Sequence, residues 1–213
     1  MKNFLFGIPF LKTSIPHTLY DKNEIIKQIM EKFNKNKSQN CWDSQNNFSS
    51  SSLYHAYNTR DSEEINFNNL PSLYSQNIKY FLQEQFPNKN LAFNFDIVNF
   101  TVMTNKGDWM NDHVHPDCHF VCAHYIRFNP EIHPPTTYKN LAYYSPFVNK
   151  IYSRVRNKVD NCYSTSWLYT SFHLSENEDD FVITPSVLTH GVPPLKQHTE
   201  TPRIVIVCNV NIE

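Results

Sequence analysis

The sequence predicts a mainly β fold with α-helices, namely a double-stranded β-helix (jelly roll) flanked by two or more N-terminal helices. From residue 91 onward, short runs of β-branched and aromatic residues alternate with polar or proline-containing connections, as antiparallel strands do. Before that point, apolar residues recur at helical spacing in two segments. Strands that follow a helical pair favour a jelly roll with helices packed outside it. We expect one domain over residues 1–213, with 1–90 as a strand plus helical support and 91–213 as the β-helix core.

The N-terminal part contains one predicted strand and two predicted helices. An apolar run at residues 4–10 predicts the strand. Residues 21–24 resemble a capping box and precede an apolar stripe, so the first helix begins there. The polar segment 35–52 predicts a loop, with Trp42 as its anchor. The second helix begins at residues 69–71, because the proline there suits a first helical turn.

Six downstream runs predict the strands of the jelly roll. They cover residues 91–104, 120–128, 140–144, 164–172, 181–184 and 203–212. With 3 Gly against 13 Pro and many Asn, most turns between them must be made by Asn, Asp, Ser and Pro. The acidic run 176–180 is predicted to be a solvated turn.

Composition excludes several classes of protein. The formal net charge of -1 gives no electrostatic basis for binding nucleic acid or an anionic membrane surface. No stretch approaches the roughly 20 apolar residues of a membrane span, and the start lacks a signal-peptide pattern. Five scattered cysteines without a C-x-x-C pair indicate reduced thiols in a cytoplasmic protein.

Residues 113–119 concentrate side chains that bind metals. His113, His115 and Asp117 occupy alternate positions, and in an extended segment alternate side chains point to the same side. An isolated His190 lies far downstream. Two close ligands from one strand edge and a third from a neighbouring strand are what mononuclear Fe(II) needs, as two histidines and a carboxylate or as three histidines.

The spacing leaves two ligand sets open. His190 belongs to both, either with His113 and His115 or with His115 and Asp117. A histidine pair at this spacing is by itself a common feature of exposed polar faces. The distant His190 and the trailing Arg203 make the pattern more specific.

The order of the motifs resembles a known family. His113-Val-His115-Pro116 follows a tryptophan, and His190-Gly-Val-Pro193 precedes a final apolar run that Arg203 opens. The matching segments are 5–9, 42–44, 109–116, 121–126, 184–193 and 203–209. The chain resembles the 2-oxoglutarate/Fe(II)-dependent oxygenase family of marine bacteria and phages, which is related to the prolyl hydroxylases. Val121 and Cys122 stand where that family has Ser-Gly, and larger side chains there would narrow the pocket.

The resemblance implies two cofactor molecules, Fe(II) and the co-substrate 2-oxoglutarate. It implies that Arg203 pairs with the distal carboxylate of 2-oxoglutarate, a task that suits bidentate charge-assisted bonds. Tyr125 falls where prolyl hydroxylases place a tyrosine that helps to hold the same carboxylate. The family motif keeps both histidines and has a small residue at the position of Asp117, which therefore becomes the alternative third ligand. The preferred metal ligands are His113, His115 and His190.

The resulting hypothesis is an Fe(II)/2-oxoglutarate-dependent oxygenase that hydroxylates a C–H bond of a small molecule or a peptide, with a prolyl residue as a guess from fold kinship. We expect no nucleic acid or membrane as partner, and a location in the cytoplasm, or in the host cytoplasm for a phage-encoded protein. One alternative is a non-catalytic jelly-roll binding or structural protein with a His-rich structural metal site, and another is a three-histidine dioxygenase without a co-substrate. Neither alternative uses an arginine thirteen residues after the last ligand.

Overall fold

The computed structural model describes residues 3–5, 7–35, 53–55, 65–140, 154–155, 158, 166 and 168–213. Its strands are β1 (Asn3–Leu5), β2 (Ile8–Ser14), β3 (Leu53–His55), β4 (Phe93–Met103), β5 (Met110–His113), β6 (Phe120–Arg127), β7 (Thr137–Lys139), β8 (Ser171–His173), β9 (Asp180–Pro185), β10 (His190–Val192) and β11 (Arg203–Ile212). Its longer helices are α1 (Lys22–Lys35) and α2 (Leu70–Gln85).

The described strands form two antiparallel sheets. The larger sheet has the order β1-β2-β9-β6-β11-β4-β3, and the smaller has the order β5-β10-β7-β8. From β4 onward the chain passes back and forth between the sheets, which is the path of a jelly roll. The sheets remain open at their edges. The predicted jelly roll with flanking N-terminal helices is confirmed.

Both helices cover the outer face of the larger sheet. Their apolar stripes share one core cluster with side chains of β4, β6, β9 and β11, as amphipathic helices require. The predicted cap of α1 is present, because the Asp21 carboxylate accepts a hydrogen bond from the Glu24 amide at 3.1 Å. Among the described residues, no helix combines the length and the apolar character needed to span a membrane.

Alternation along β6 and β11 divides side chains between two faces. Ile126 belongs to the cluster under the helices, whereas Tyr125 and Val205 belong to a second cluster between the sheets. Arg203 and Asn209 share the parity of Val205 on β11. The space between the sheets therefore receives Tyr125, Arg203 and Asn209.

One predicted strand was wrong in extent, and another stays a prediction. The predicted strand at 140–144 begins one residue after β7, which ends at Lys139, and its residues 141–144 lie outside the described residues. Of the strand predicted at 164–172, the described residues 168–170 are not in a strand, and β8 begins at Ser171. The β7–β8 ladder ends there, next to the Asn140 side chain, which donates to the carbonyl of Tyr169 at 3.0 Å. Such local side-chain bonds compete with a ladder. The predicted loop around Trp42 also lies outside the described residues.

Candidate metal centre

Three histidines meet at the edge of the smaller sheet. His113 ends β5 and His190 begins β10, and the two residues face each other in the antiparallel register. His115 follows two residues after β5. The ligand nitrogens of the three side chains all lie within 4.8 Å of one another. Nitrogens about 2 Å from one shared ion would lie within about 4 Å of each other, so small side-chain rotations suffice to bind a metal.

Gly191 brings the two histidine-bearing strands together. A Cβ on Gly191 would lie 3.0 Å from the Met110 carbonyl oxygen and 3.1 Å from the Asp112 amide nitrogen. Both atoms belong to the backbone of β5 and cannot rotate away. Glycine therefore permits a close approach that other residues would prevent, and the approach sets the spacing of His113 and His190.

Backbone carbonyls orient two of the rings. Nδ1 of His113 lies 2.8 Å from the carbonyl oxygen of Asn111, and Nδ1 of His190 lies 2.9 Å from that of Leu188. A carbonyl oxygen only accepts, so each Nδ1 carries the proton and donates it. The lone pair of the neutral imidazole is then on Nε2, which is the form that binds a metal.

Burial keeps these imidazoles neutral. It lowers the pKa of His190 to about 3, with a smaller contribution from the neighbouring His113 and His115. Burial also lowers the pKa of His113 from its ordinary value. At neutral pH His113 and His190 therefore present neutral nitrogen donors, and a set of three imidazoles fits a borderline divalent ion such as Fe(II).

Asp117 takes no part in the cluster. The extended run ends at a turn that contains Pro116 and Asp117, and the Asp117 side chain is exposed. His115 instead approaches β11, where its Nδ1 lies 3.2 Å from Oδ1 of Asn209. In a continued strand, Asp117 would point to the same side as His115, but the turn ends the extended segment before Asp117.

Arg203 is a buried cation between the two sheets. Arg203 is only 1% exposed. Its Nε donates to the Pro134 carbonyl at 3.1 Å, and its Nη2 donates to Oγ1 of Thr136 at 3.0 Å. The guanidinium carbon lies 5.5 Å from the ring centroid of Tyr125 and 5.7 Å from that of Phe128, within the range of cation–π attraction. Burial lowers the pKa of Arg203, but a guanidinium stays charged in proteins.

One tyrosine links the histidines to this cation. Tyr138 is opposite His190 in the β10–β7 register, and their ring centroids are 5.8 Å apart. Tyr138 also packs in the same cluster as Tyr125 between the sheets. Tyr138 therefore borders both the histidine cluster and the side chains that surround Arg203.

Comparison with known proteins gives a fold but no close relative. No family model and no curated protein matches the chain. A prolyl hydroxylase from Trichoplax adhaerens, solved in complex with a hypoxia inducible factor oxygen degradation domain peptide fragment, is 12% identical over 95% of this chain and 83% of that chain, with a TM-score of 0.53. This chain shares the jelly-roll fold of that structure. The relation to a marine bacterial and phage family stays a prediction.

Two further solved structures are similar at a lower score. A Pseudomonas putida prolyl-4-hydroxylase is 8% identical over 96% of this chain and 92% of that chain, with a TM-score of 0.48. An oxidoreductase of the 2OG-Fe(II) oxygenase family from Burkholderia pseudomallei is 12% identical over 72% of this chain, with a TM-score of 0.42. The match spans 59% of that Burkholderia chain.

The sequence did not predict several residues that lie near the histidine cluster or Arg203. Asn209 and Tyr138 are recognisable only once β11 and β7 are placed beside the histidines. Glu176 was predicted to lie in a solvated turn, which was wrong, because the residue is 1% exposed and accepts a hydrogen bond from the Tyr125 hydroxyl at 3.2 Å. An acidic run contains no signal that separates its buried members, here Glu176 and Asp180, from the solvated ones.

Proposed function

We propose that the protein is an Fe(II)/2-oxoglutarate-dependent oxygenase that hydroxylates a C–H bond of a small molecule or a peptide. The observation that carries the proposal is the buried Arg203 in the same inter-sheet space as the three-histidine cluster. Metal ligands alone are found in many kinds of site. A dicarboxylate that chelates a metal through one end also needs a cation near the metal to bind its other end.

In this proposal His113, His115 and His190 hold the metal through Nε2. When bound, Fe(II) together with 2-oxoglutarate supplies the oxidising power for C–H hydroxylation. The three imidazoles are neutral ligands, so they leave both positive charges of a divalent ion in place. That charge favours an anionic co-substrate more strongly than a site with one carboxylate ligand would.

Arg203 binds the far end of the co-substrate. A guanidinium has five N–H groups, and in the described part of the chain two N–H directions are used, toward Pro134 and Thr136. The remaining N–H groups suit the two oxygens of a carboxylate. Tyr125 supports the guanidinium through its ring face and adds a hydroxyl to the same end of the space.

The alternative of a non-catalytic jelly roll with a structural metal explains less. Burying a guanidinium away from water costs several kcal/mol, and a structural metal site gains nothing from Arg203. The Trichoplax prolyl hydroxylase was solved with a peptide fragment, which supports a peptide as one substrate class for this chain. A single domain over 1–213 and a cytoplasmic location remain part of the proposal.

Anaerobic difference absorbance tests the function directly. We expect a weak visible charge-transfer band when 2-oxoglutarate is added to the Fe(II)-loaded protein, and its loss in His190→Ala. His198→Ala, which removes an exposed histidine outside the cluster, serves as the matched control and should keep the band. Iron binding without any band in the unaltered protein would favour the structural-metal alternative.

A further inference from the structure

We propose that Glu176 is an internal counter-ion of Arg203, and that 2-oxoglutarate binds together with a proton that neutralises Glu176. The inference rests on the proposed function and names a residue of this chain that sets the affinity for the co-substrate. It makes co-substrate binding dependent on pH through a group that lies away from the three histidines.

A continuous hydrogen-bonded chain joins the two charged groups. Arg203 Nη2 lies 3.0 Å from Thr136 Oγ1, which lies 2.7 Å from the Tyr125 hydroxyl, which in turn lies 3.2 Å from Glu176 Oε1. All four residues are buried. This row of hydrogen bonds begins at the Arg203 guanidinium, which can only donate, and ends at the Glu176 carboxyl group. The direction of its hydrogen bonds therefore depends on whether Glu176 is charged.

The chain has two consistent proton arrangements. The Tyr125 hydroxyl has one proton and two oxygen neighbours, Thr136 Oγ1 and Glu176 Oε1. With Glu176 ionised, Tyr125 donates to Glu176 and the Thr136 hydroxyl donates to Tyr125. With Glu176 protonated, Tyr125 donates to Thr136 over the shorter distance, and the carboxyl proton becomes available to another acceptor. One proton on Glu176 therefore reverses both hydroxyls.

Glu176 is poorly stabilised as an anion. Its Oε2 atom is buried and makes no hydrogen bond to any described residue, whereas Oε1 accepts a hydrogen bond from the Tyr125 hydroxyl at 3.2 Å. Burial raises the pKa of Glu176, and its own backbone N–H, Arg203, Tyr125 and Lys12 oppose that shift. A carboxyl group with these opposing influences gains a proton when a further negative charge approaches.

The other groups that face Glu176 do not replace Arg203. Lys12 on β2 lies 3.1 Å from Asp180 and donates to the carbonyl of Ser175 at 2.7 Å. Tyr138 on β7 is a buried phenol whose pKa is raised by burial and by Glu176. Lys12 opposes the shift of the Glu176 pKa less than Arg203 does, and a neutral phenol carries no positive charge.

The co-substrate brings that second carboxylate. A carboxylate bound to Arg203 would share one guanidinium with Glu176 in a space shielded from water. Two carboxylates competing for one cation disfavour the state in which both are ionised. A proton taken from solvent onto Glu176 removes the repulsion and leaves Arg203 to the co-substrate.

Linkage gives the expected pH dependence. If the complex contains protonated Glu176, the affinity for 2-oxoglutarate falls about tenfold per pH unit above the pKa of Glu176 in the unliganded protein. Glu176→Gln mimics the protonated side chain at every pH. Its affinity should therefore stay flat over the same range and exceed that of the unaltered protein at the alkaline end.

Titration calorimetry on the full chain tests the inference without measuring turnover. We would titrate 2-oxoglutarate into Mn(II)-loaded protein in buffers of different ionisation enthalpy and compare the unaltered protein, Glu176→Gln and Glu178→Gln. Glu178 lies two residues away and pairs with Lys22 at 2.6 Å, so its variant removes the same charge from the same turn. We expect about one proton fewer taken up by Glu176→Gln than by the other two proteins.

The outcomes separate the inference from the function. Equal proton uptake in Glu176→Gln and the unaltered protein, with binding retained, overturns the role of Glu176 and leaves the proposed function standing. Failure of all three proteins to bind 2-oxoglutarate overturns the function itself, and the inference with it. If Glu176→Gln does not fold, the unaltered protein alone tests the inference. An affinity for 2-oxoglutarate that does not change between pH 6 and pH 9 would contradict proton-coupled binding.

Discussion

At the scale of the residue, Arg203 is a large, charged side chain that is almost completely buried. It is enclosed by Pro134, Thr136 and the rings of Tyr125 and Phe128. Substitution therefore removes a charge that the surroundings are built to hold.

We expect Arg203→Ala to weaken 2-oxoglutarate binding by about 2–5 kcal/mol, since truncating one partner of a buried charge pair costs that much. Metal affinity should change little, because the hydrogen-bond partners given for Arg203 are Pro134 and Thr136 rather than the histidines. Calorimetric titration of each ligand measures both quantities. Arg154→Ala, at an exposed position, is the control, and equal co-substrate affinity in both variants would leave Arg203 with a structural role only.

The identity of the third ligand is also decided by single residues. His113→Ala should reduce bound metal to background, because only two of the clustered imidazoles then remain. Asp117→Ala should retain the metal, since that side chain is exposed at the turn. Metal content by mass spectrometry distinguishes the two variants, and the reverse pattern would restore a site of two histidines and one carboxylate.

At the scale of the element, the β5–β10 pair fixes the geometry of the cluster. Gly191→Ala places a methyl group against the β5 backbone, and overpacking of this kind costs on the order of 1–3 kcal/mol. We expect a loss of metal affinity of at least tenfold, because the strands that bear His113 and His190 must separate.

Gly107→Ala is the matched control for that change. Gly107 has φ of +88° and open space around its Cβ position, so the variant strains the backbone without touching β10. It should lower the melting temperature while keeping metal affinity. Equal loss of metal affinity in both variants would show that Gly191 acts through general stability alone.

The contact between α2 and β6 predicts sensitivity to acid. His124 is fully buried, with Nδ1 2.8 Å from the Tyr74 hydroxyl, and burial lowers its pKa to about 3. The unfolded chain binds this proton near pH 6.5, so the free energy of unfolding falls by about 1.4 kcal/mol per pH unit for this group as pH drops from 6.5 toward 3. Denaturation of metal-free protein at several pH values should give a shallower slope for His124→Gln, and an unchanged slope would exclude His124.

At the scale of the whole molecule, the metal would join parts of the chain far apart in sequence. Strands β6 and β9 of the larger sheet lie between His115 and His190 in the sequence. An ion that binds only the folded chain stabilises it by about 2.7 kcal/mol at a concentration one hundred times its Kd. Added Mn(II) should therefore raise the melting temperature, a chelator should reverse the rise, and His113→Ala should not respond.

Local patterns in the sequence were sufficient for the fold class. The stripe behind Asp21 and the apolar runs after residue 91 depend on periodicities of 3.6 and 2, which neighbouring residues determine. The short strands β5, β7 and β10 were not predicted, because each has three or four residues and together they contain few apolar ones. The sequence also predicted that His113, His115 and His190 would share a site, and the fold brings their nitrogens within 4.8 Å.

Tertiary structure decided what periodicity could not. Alternation offered Asp117 and His113 equally, and the turn at Pro116 removed Asp117 from the cluster. The acidic run at 176–180 gave no sign that Glu176 is buried beside Tyr125, because burial depends on where the turn lands against other strands. Sequence by itself determined which side chains were capable of the chemistry, since residue type and spacing are local properties. Only the packing of the two sheets decided which of them share a space with Arg203, because that is a property of distant segments brought together.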